Sequence, residues 1–150
     1  MGLDMYLYAS RFVSNMEYRN EQDQFNKIVS ALGAEQFTMG HVIAEVEVAY
    51  WRKANAIHHW FIDTLAEGVD ECQPIYVDRE QLHKLQDLCK EVIENPALAD
   101  ELLPTHGGFF FGSTEYDEWY MDNIKETYDK LSVLLTKIPD GWSFKYQASW

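Results

Sequence analysis

Residues 142–150 read Trp-Ser-Phe-Lys-Tyr-Gln-Ala-Ser-Trp. Trp142, Phe144, Tyr146, Ala148 and Trp150 alternate with Ser143, Lys145, Gln147 and Ser149. A period of two puts the aromatic set on one face of a β-strand and the polar set on the other. Pro139-Asp140-Gly141 just before it is a turn. Upstream of that turn, Thr114 with Asp117 caps a long helix that runs to about Lys137. A strand that buries one face next to an amphipathic helix is the unit of an α+β fold.

The same alternation recurs at the other end of the chain. Leu3, Met5, Leu7 and Ala9 alternate with Asp4, Tyr6, Tyr8 and Ser10, a first strand with a tyrosine-bearing face. Asn20 with Asp23 opens a short helix whose stripe is Phe25, Ile28, Val29 and Leu32, stopped at Gly33. Val42, Ala44, Val46 and Val48 alternate with Ile43, Glu45, Glu47 and Ala49, a second strand that runs through Tyr50-Trp51-Arg52-Lys53 into a helix ending near Glu67-Gly68. Pro74-Ile75-Tyr76-Val77 is a short strand. Asp78 with Gln81 caps a helix carrying Leu82, Leu85, Cys89, Val92 and Ile93, ended by Asn95-Pro96. Leu98–Pro104 is irregular. Phe109-Phe110-Phe111, between Gly107-Gly108 and Gly112, reads as a short buried strand. No repeat, linker or composition break divides residues 1–150. The expectation is one α+β domain, an antiparallel or mixed sheet with about four helices packed mainly on one side.

Composition narrows the function classes. The chain has 150 residues, 47% hydrophobic and 15% aromatic, with Lys+Arg 12 against Asp+Glu 25 and a net charge of −13. A hydrophobic fraction this high excludes a disordered chain. The net charge argues against direct nucleic-acid binding and against an anionic membrane surface. No apolar run approaches the ~20 residues of a membrane helix, and the start lacks a signal-peptide pattern. Cys72 and Cys89 lie outside any zinc spacing and suit reduced thiols of a cytoplasmic protein. There is no serine-hydrolase elbow, HExxH, P-loop, dinucleotide fingerprint or EF-hand loop, so no metal and no cofactor is expected.

Three surfaces carry chemistry. On the helix after Trp51, Ala54, Ile57, His58, Phe61, Ile62 and Leu65 occupy one arc, and Arg52, Asn55, His59 and Asp63 lie roughly opposite. His59 and Asp63 stand four apart, a spacing at which the carboxylate orients the imidazole and raises its pKa. With Arg52, Asn55 and Trp60 as an aromatic wall, this stripe would bind a nucleotide or another anionic ligand, and His59 with Asp63 would do general-base work. Its ordinary reading is a solvated helix face; His58, on the edge of the apolar arc, reads as a core histidine.

On the long helix, Glu115, Glu118, Asp122, Glu126 and Asp129 line one ridge about 21 Å long. Such a ridge would occupy a basic groove on a partner protein. A solvated face, partly compensated by Lys125 and Lys130, is the alternative. Acids and bases are otherwise spread evenly along the chain. Finally, the polar sheet face would show Asp4, Tyr6, Tyr8, Glu45, Glu47, Lys145 and Gln147, a surface suited to a protein contact or to a homodimer through Tyr6 and Tyr8.

MGLDMYLYA (1–9), EVAYWRKANAIHHWF (47–61), GGFFFGSTEYDEWY (107–120) and the closing ASW (148–150) together resemble a family of short bacteriophage and prophage proteins. The resemblance spans nearly the whole chain and transfers no catalytic residue. It implies a phage setting, a place in the host-cell cytoplasm, and a host protein or complex as partner, including a defence system that the protein would block. Two expectations therefore stand side by side. One is a non-enzymatic binding protein acting through the acidic ridge; the other is a small-molecule binding protein or enzyme acting through the stripe after Trp51.

Overall fold

Strand β1 (Asp4–Ser14) buries Met5, Leu7 and Ala9 completely, as does Leu3 just before it. It extends past Ala9 because Val13 continues the apolar face. The structure, a computed structural model, describes residues 2–37 and 40–150; Met1, Thr38 and Met39 lie outside the described residues. The remaining elements are α1 (Gln22–Ala31), β2 (His41–Arg52), α2 (Asn55–Leu65), β3 (Ile75–Val77), α3 (Arg79–Glu94), α4 (Ala99–Leu102), α5 (Glu118–Lys137) and β4 (Ser143–Ser149). The strands form one antiparallel sheet in the order β2-β1-β4-β3. This is the expected α+β architecture.

The core lies between one sheet face and the helices. Leu7, Trp51, Phe144 and Tyr146 from the sheet meet Ile57 and Phe61 of α2, Leu82, Leu85 and Cys89 of α3, and Ile124 and Leu131 of α5. A satellite core of Val13, Phe25 and Val29 sits under α1, where the β1–β2 pair projects beyond β4. Both thiols are free. Burial pushes the Cys89 thiol up to about 12, so it is inert packing.

Five expectations change. Leu98–Pro104 is not irregular, since α4 occupies Ala99–Leu102 within it. The even-numbered apolar face of the second strand ends at Val48. The pairing jumps from Leu7↔Ala49 to Tyr8↔Glu47, leaving Val48 as a bulge. One inserted residue reverses the alternation, so Ala49 and Trp51 enter the core. Asn20 does not cap α1; it closes a preceding turn at φ 54. Instead, the Glu21 carboxylate accepts from Ser14 N (3.0 Å), tying the helix start to β1. The cap of α5 is Asp117, which accepts from Tyr120 N (3.0 Å), so Glu115 lies outside the helix. Phe109–Phe111 is a turn rather than a strand, with Phe111 N donating to Gly108 O (3.2 Å). Its carbonyls serve no ladder: Phe110 O accepts from Leu3 N (3.3 Å) and Phe111 O from the Asn55 side chain of α2 (3.1 Å).

The opposite sheet face carries no helix. Tyr6 lies against Tyr8 and Tyr50, Lys145 pairs with Glu45 (2.9 Å), and Arg52 and Tyr50 both reach Asp4. Its charges are largely neutralised across strands.

Candidate functional site

Helix α2 is the element through which the polar residues meet. The chain leaves β2 by a left-handed residue, Lys53 (φ 57), and starts the helix two residues later. That turn separates the residues of the expected stripe. Arg52 stays on the strand, on the uncovered sheet face, 3.6 Å from Asp4. It does not join Asn55, His59 and Asp63.

Asn55 is buried and fully engaged. Its amide nitrogen donates to Phe111 O (3.1 Å) and Ser113 O (2.8 Å), and its oxygen accepts from His106 N (3.2 Å). One side chain thus holds three points of the 105–115 loop. It is a strut: both amide hydrogens are spent, and only one acceptor lone pair on its buried oxygen remains. The space beside it, among Lys53, Thr105, Ser113 and Glu115, measures about 10 Å³, room for no more than a water.

His59 stacks on His106 (centroids 4.6 Å, planes 13° apart). Burial lowers its pKa, His106 lowers it further, and Asp63 only partly opposes them. The expected rise through an Asp63 dyad is therefore corrected: desolvation and a second imidazole outweigh an exposed carboxylate. His59, Trp60 and Asp63 do share one cleft of about 280 Å³, closed by Leu88 of α3 and by Glu101–Pro104. With Arg52 elsewhere, its ionisable lining is His59, Asp63 and Glu101, which is unfavourable to a nucleotide or any other anion. Trp60 leaves the apolar arc because α2 is covered on two sides, by the sheet core and by this second layer.

A buried polar chain runs under α2. His58 Nδ1 meets the Tyr146 hydroxyl (2.7 Å) and Nε2 meets Asp70 Oδ2 (2.9 Å). A carboxylate only accepts, so Nε2 carries the proton and Nδ1 accepts from Tyr146. Trp150 Nε1 donates to the other oxygen of Asp70 (3.2 Å). The order Tyr–His–Asp matches a relay in form. But Tyr146 is fully buried and stacked on Phe61 (3.9 Å, 6°), so no substrate atom reaches its hydroxyl. The chain joins α2, β4 and the loop after α2.

Burial holds the His58 pKa below its ordinary 6.5, against the hydrogen bond and charge of Asp70 and with a further lowering from His106 and His59. The unfolded chain therefore binds a proton below pH 6.5 that the folded chain refuses. Stability is full above that pH and falls as pH drops from 6.5 through the folded value. Urea unfolding followed from pH 7.5 to pH 5 should show this fall, and a His58→Leu variant should show a shallower one.

The acidic ridge is reduced but exposed. Glu118, Asp122, Glu126 and Asp129 lie on α5 over about 17 Å, while Glu115 precedes the helix. Glu126 pairs with Lys130 (2.6 Å), and Lys130 also reaches the Tyr50 carbonyl. No ion pair engages Glu118, Asp122 or Asp129 among the described residues. The buried face of α5, with Tyr120, Ile124, Thr127, Leu131 and Leu134, packs chiefly on α3.

By fold and site this is an α+β domain whose buried Asn55 and His58 are spent on structure. No family model, no curated protein and no solved structure matches the chain. Among the described residues no group of three or more His, Cys, Asp or Glu is placed to hold a metal ion, and no helix is long and apolar enough to cross a membrane.

Proposed function

We propose that the chain is a binding protein for another macromolecule, with the outer face of α5 as its contact. The observation that carries this reading is the uncovered row of Glu118, Asp122 and Asp129, which points away from the core without ion pairs in a protein of net charge −13. A row of fixed carboxylates steers a basic partner and fixes its register. The partner is a basic face of a protein, and the phage-type resemblance makes a host protein, including a defence complex, the first place to look. The stripe reading is weaker, since Arg52 and Asn55 are unavailable to it.

The test is a triple reversal, Glu118→Lys, Asp122→Lys and Asp129→Lys, made on exposed positions so that the fold survives. Glu126 stays because it supports Lys130. Tagged wild type should retain a basic protein from host lysate, release it as salt rises, and lose it on reversal. His59→Ala should leave capture intact. Retention by the reversed variant, or dependence on His59, would overturn the reading.

A further inference from the structure

We infer that the open edge of the sheet, residues 41–47 of β2, takes β2 of a second copy of this chain, antiparallel and in register about Ala44. This surface is separate from the outer face of α5 and from the tyrosine-bearing sheet face. β2 stands at the end of the sheet. It is hydrogen-bonded to β1 on one side and, among the described residues, to no strand on the other. Such a row of free N–H and C=O groups is a template for another strand.

One end of the edge is guarded and the other is not. At the guarded end Val48 bulges, and Lys130 of α5 donates to the Tyr50 carbonyl. A bulge and a lysine both keep an edge from pairing. Residues 41–47 run against β1 without a break and leave apolar side chains uncovered on both faces. Val46 lies opposite the fully buried Ala9, on the helix-bearing face, yet is 51% exposed. Ile43, on the other face and opposite the exposed Phe12, is 62% exposed. A groove of about 450 Å³ among Val48, Val133, Leu134 and Ile138 adjoins the Glu47 end and leaves room for incoming side chains.

The occupant follows from the order of side chains along the edge. A two-fold axis perpendicular to the sheet keeps both helix layers on one side, so even-numbered residues face even-numbered ones and odd face odd. Centring the axis on Ala44 pairs all of 41–47. Val42 then faces Val46 of the second copy and Ala44 faces Ala44, joining the two apolar sides into one strip. His41 faces Glu47, an imidazole opposite a carboxylate, at both ends of the ladder. Ile43 faces Glu45, whose charge is already held by Lys145 of its own chain (2.9 Å). Moving the axis to Glu45, Val46 or Glu47 sets carboxylate against carboxylate, which disfavours pairing. Moving it to Ile43 leaves Val46 and Glu47 outside the strand pairing. The edge is therefore complementary to itself, and in one register.

Sedimentation velocity of the full chain reads the outcome, at about 0.15 M salt, where repulsion between acidic surfaces is screened beyond about 8 Å. Expected is a dimer that forms with rising concentration. His41→Glu and Glu47→Lys change exposed side chains, so the fold survives, as circular dichroism would check. Each sets like charges or two basic groups opposite one another, twice by symmetry, and should weaken the dimer about tenfold. Mixed in equal amounts the two variants should pair again. The new carboxylate of one meets the new ammonium of the other, and the untouched His41 meets the untouched Glu47. A chain that stays monomeric up to about 1 mM, a dimer unmoved by both variants, or variants that fail to pair on mixing would overturn the inference. A dimer that ignores both variants and is weakened by Tyr8→Ala would place the contact on the tyrosine face and overturn it as well.

Discussion

His58→Leu should lower the melting temperature by about 6–12 °C. The side chain sits between the half-buried Asp70, 12 residues away, and the buried Tyr146, 88 away. Removing the imidazole leaves the Tyr146 hydroxyl without an acceptor in a fully buried position and takes one donor from Asp70. A stranded buried polar group costs about 1–3 kcal/mol. The two losses total about 3 kcal/mol, and each kcal/mol moves the midpoint of a domain this size by about 2–4 °C. Tyr146→Phe is the internal comparison. It keeps the stack on Phe61 and strands only His58 Nδ1, so about 1–2 kcal/mol should be lost. A melting temperature unchanged in His58→Leu would mean that the network stabilises nothing, and scanning calorimetry reads it directly.

Asn55→Ala should cost about 2–4 kcal/mol and act on a specific segment. Three hydrogen bonds vanish together, and the carbonyls of Phe111 and Ser113 lose their donor. Leucine or alanine offers them nothing in return. Hydrogen exchange over residues 105–115 should accelerate far more than over β1 or α3, because the loop has no ladder to fall back on. Uniform acceleration across the chain would show that Asn55 supports the whole fold and not this loop.

Much of the architecture was legible from local pattern. The alternations in β1 and β4 and the cap Asp78 identify their elements because period and capping are local properties. The acidic face of α5 was legible for the same reason, since a helix converts spacing into a face without help from the rest of the chain. Phe109–Phe111 misled because three aromatics between glycines satisfy the composition of a strand. The deciding facts, the Asn55 amide more than fifty residues upstream taking the Phe111 carbonyl and Leu3 N taking that of Phe110, leave no local trace. The stripe after Trp51 misled through a single dihedral. A helical wheel that includes Arg52 assumes a helix where Lys53 turns the chain by a left-handed residue.

The sequence by itself determined that β1 and β4 would each bury one face, that the helices would cover that face, and that α5 would turn carboxylates outward. Side-chain direction along a strand or helix follows from backbone geometry alone. Only the tertiary structure decided which polar groups would meet. The bulge at Val48 reversed the end of β2, Asp70 and Tyr146 closed on His58, and Asn55 seized the loop that exposes Phe109. Those pairings depend on segments distant along the chain arriving at the same depth in the core. There, hydrogen-bonding demand pairs most buried groups, the Tyr146 hydroxyl with His58 among them, while the indole N–H groups of Trp51 and Trp142 stay without a partner among the described residues.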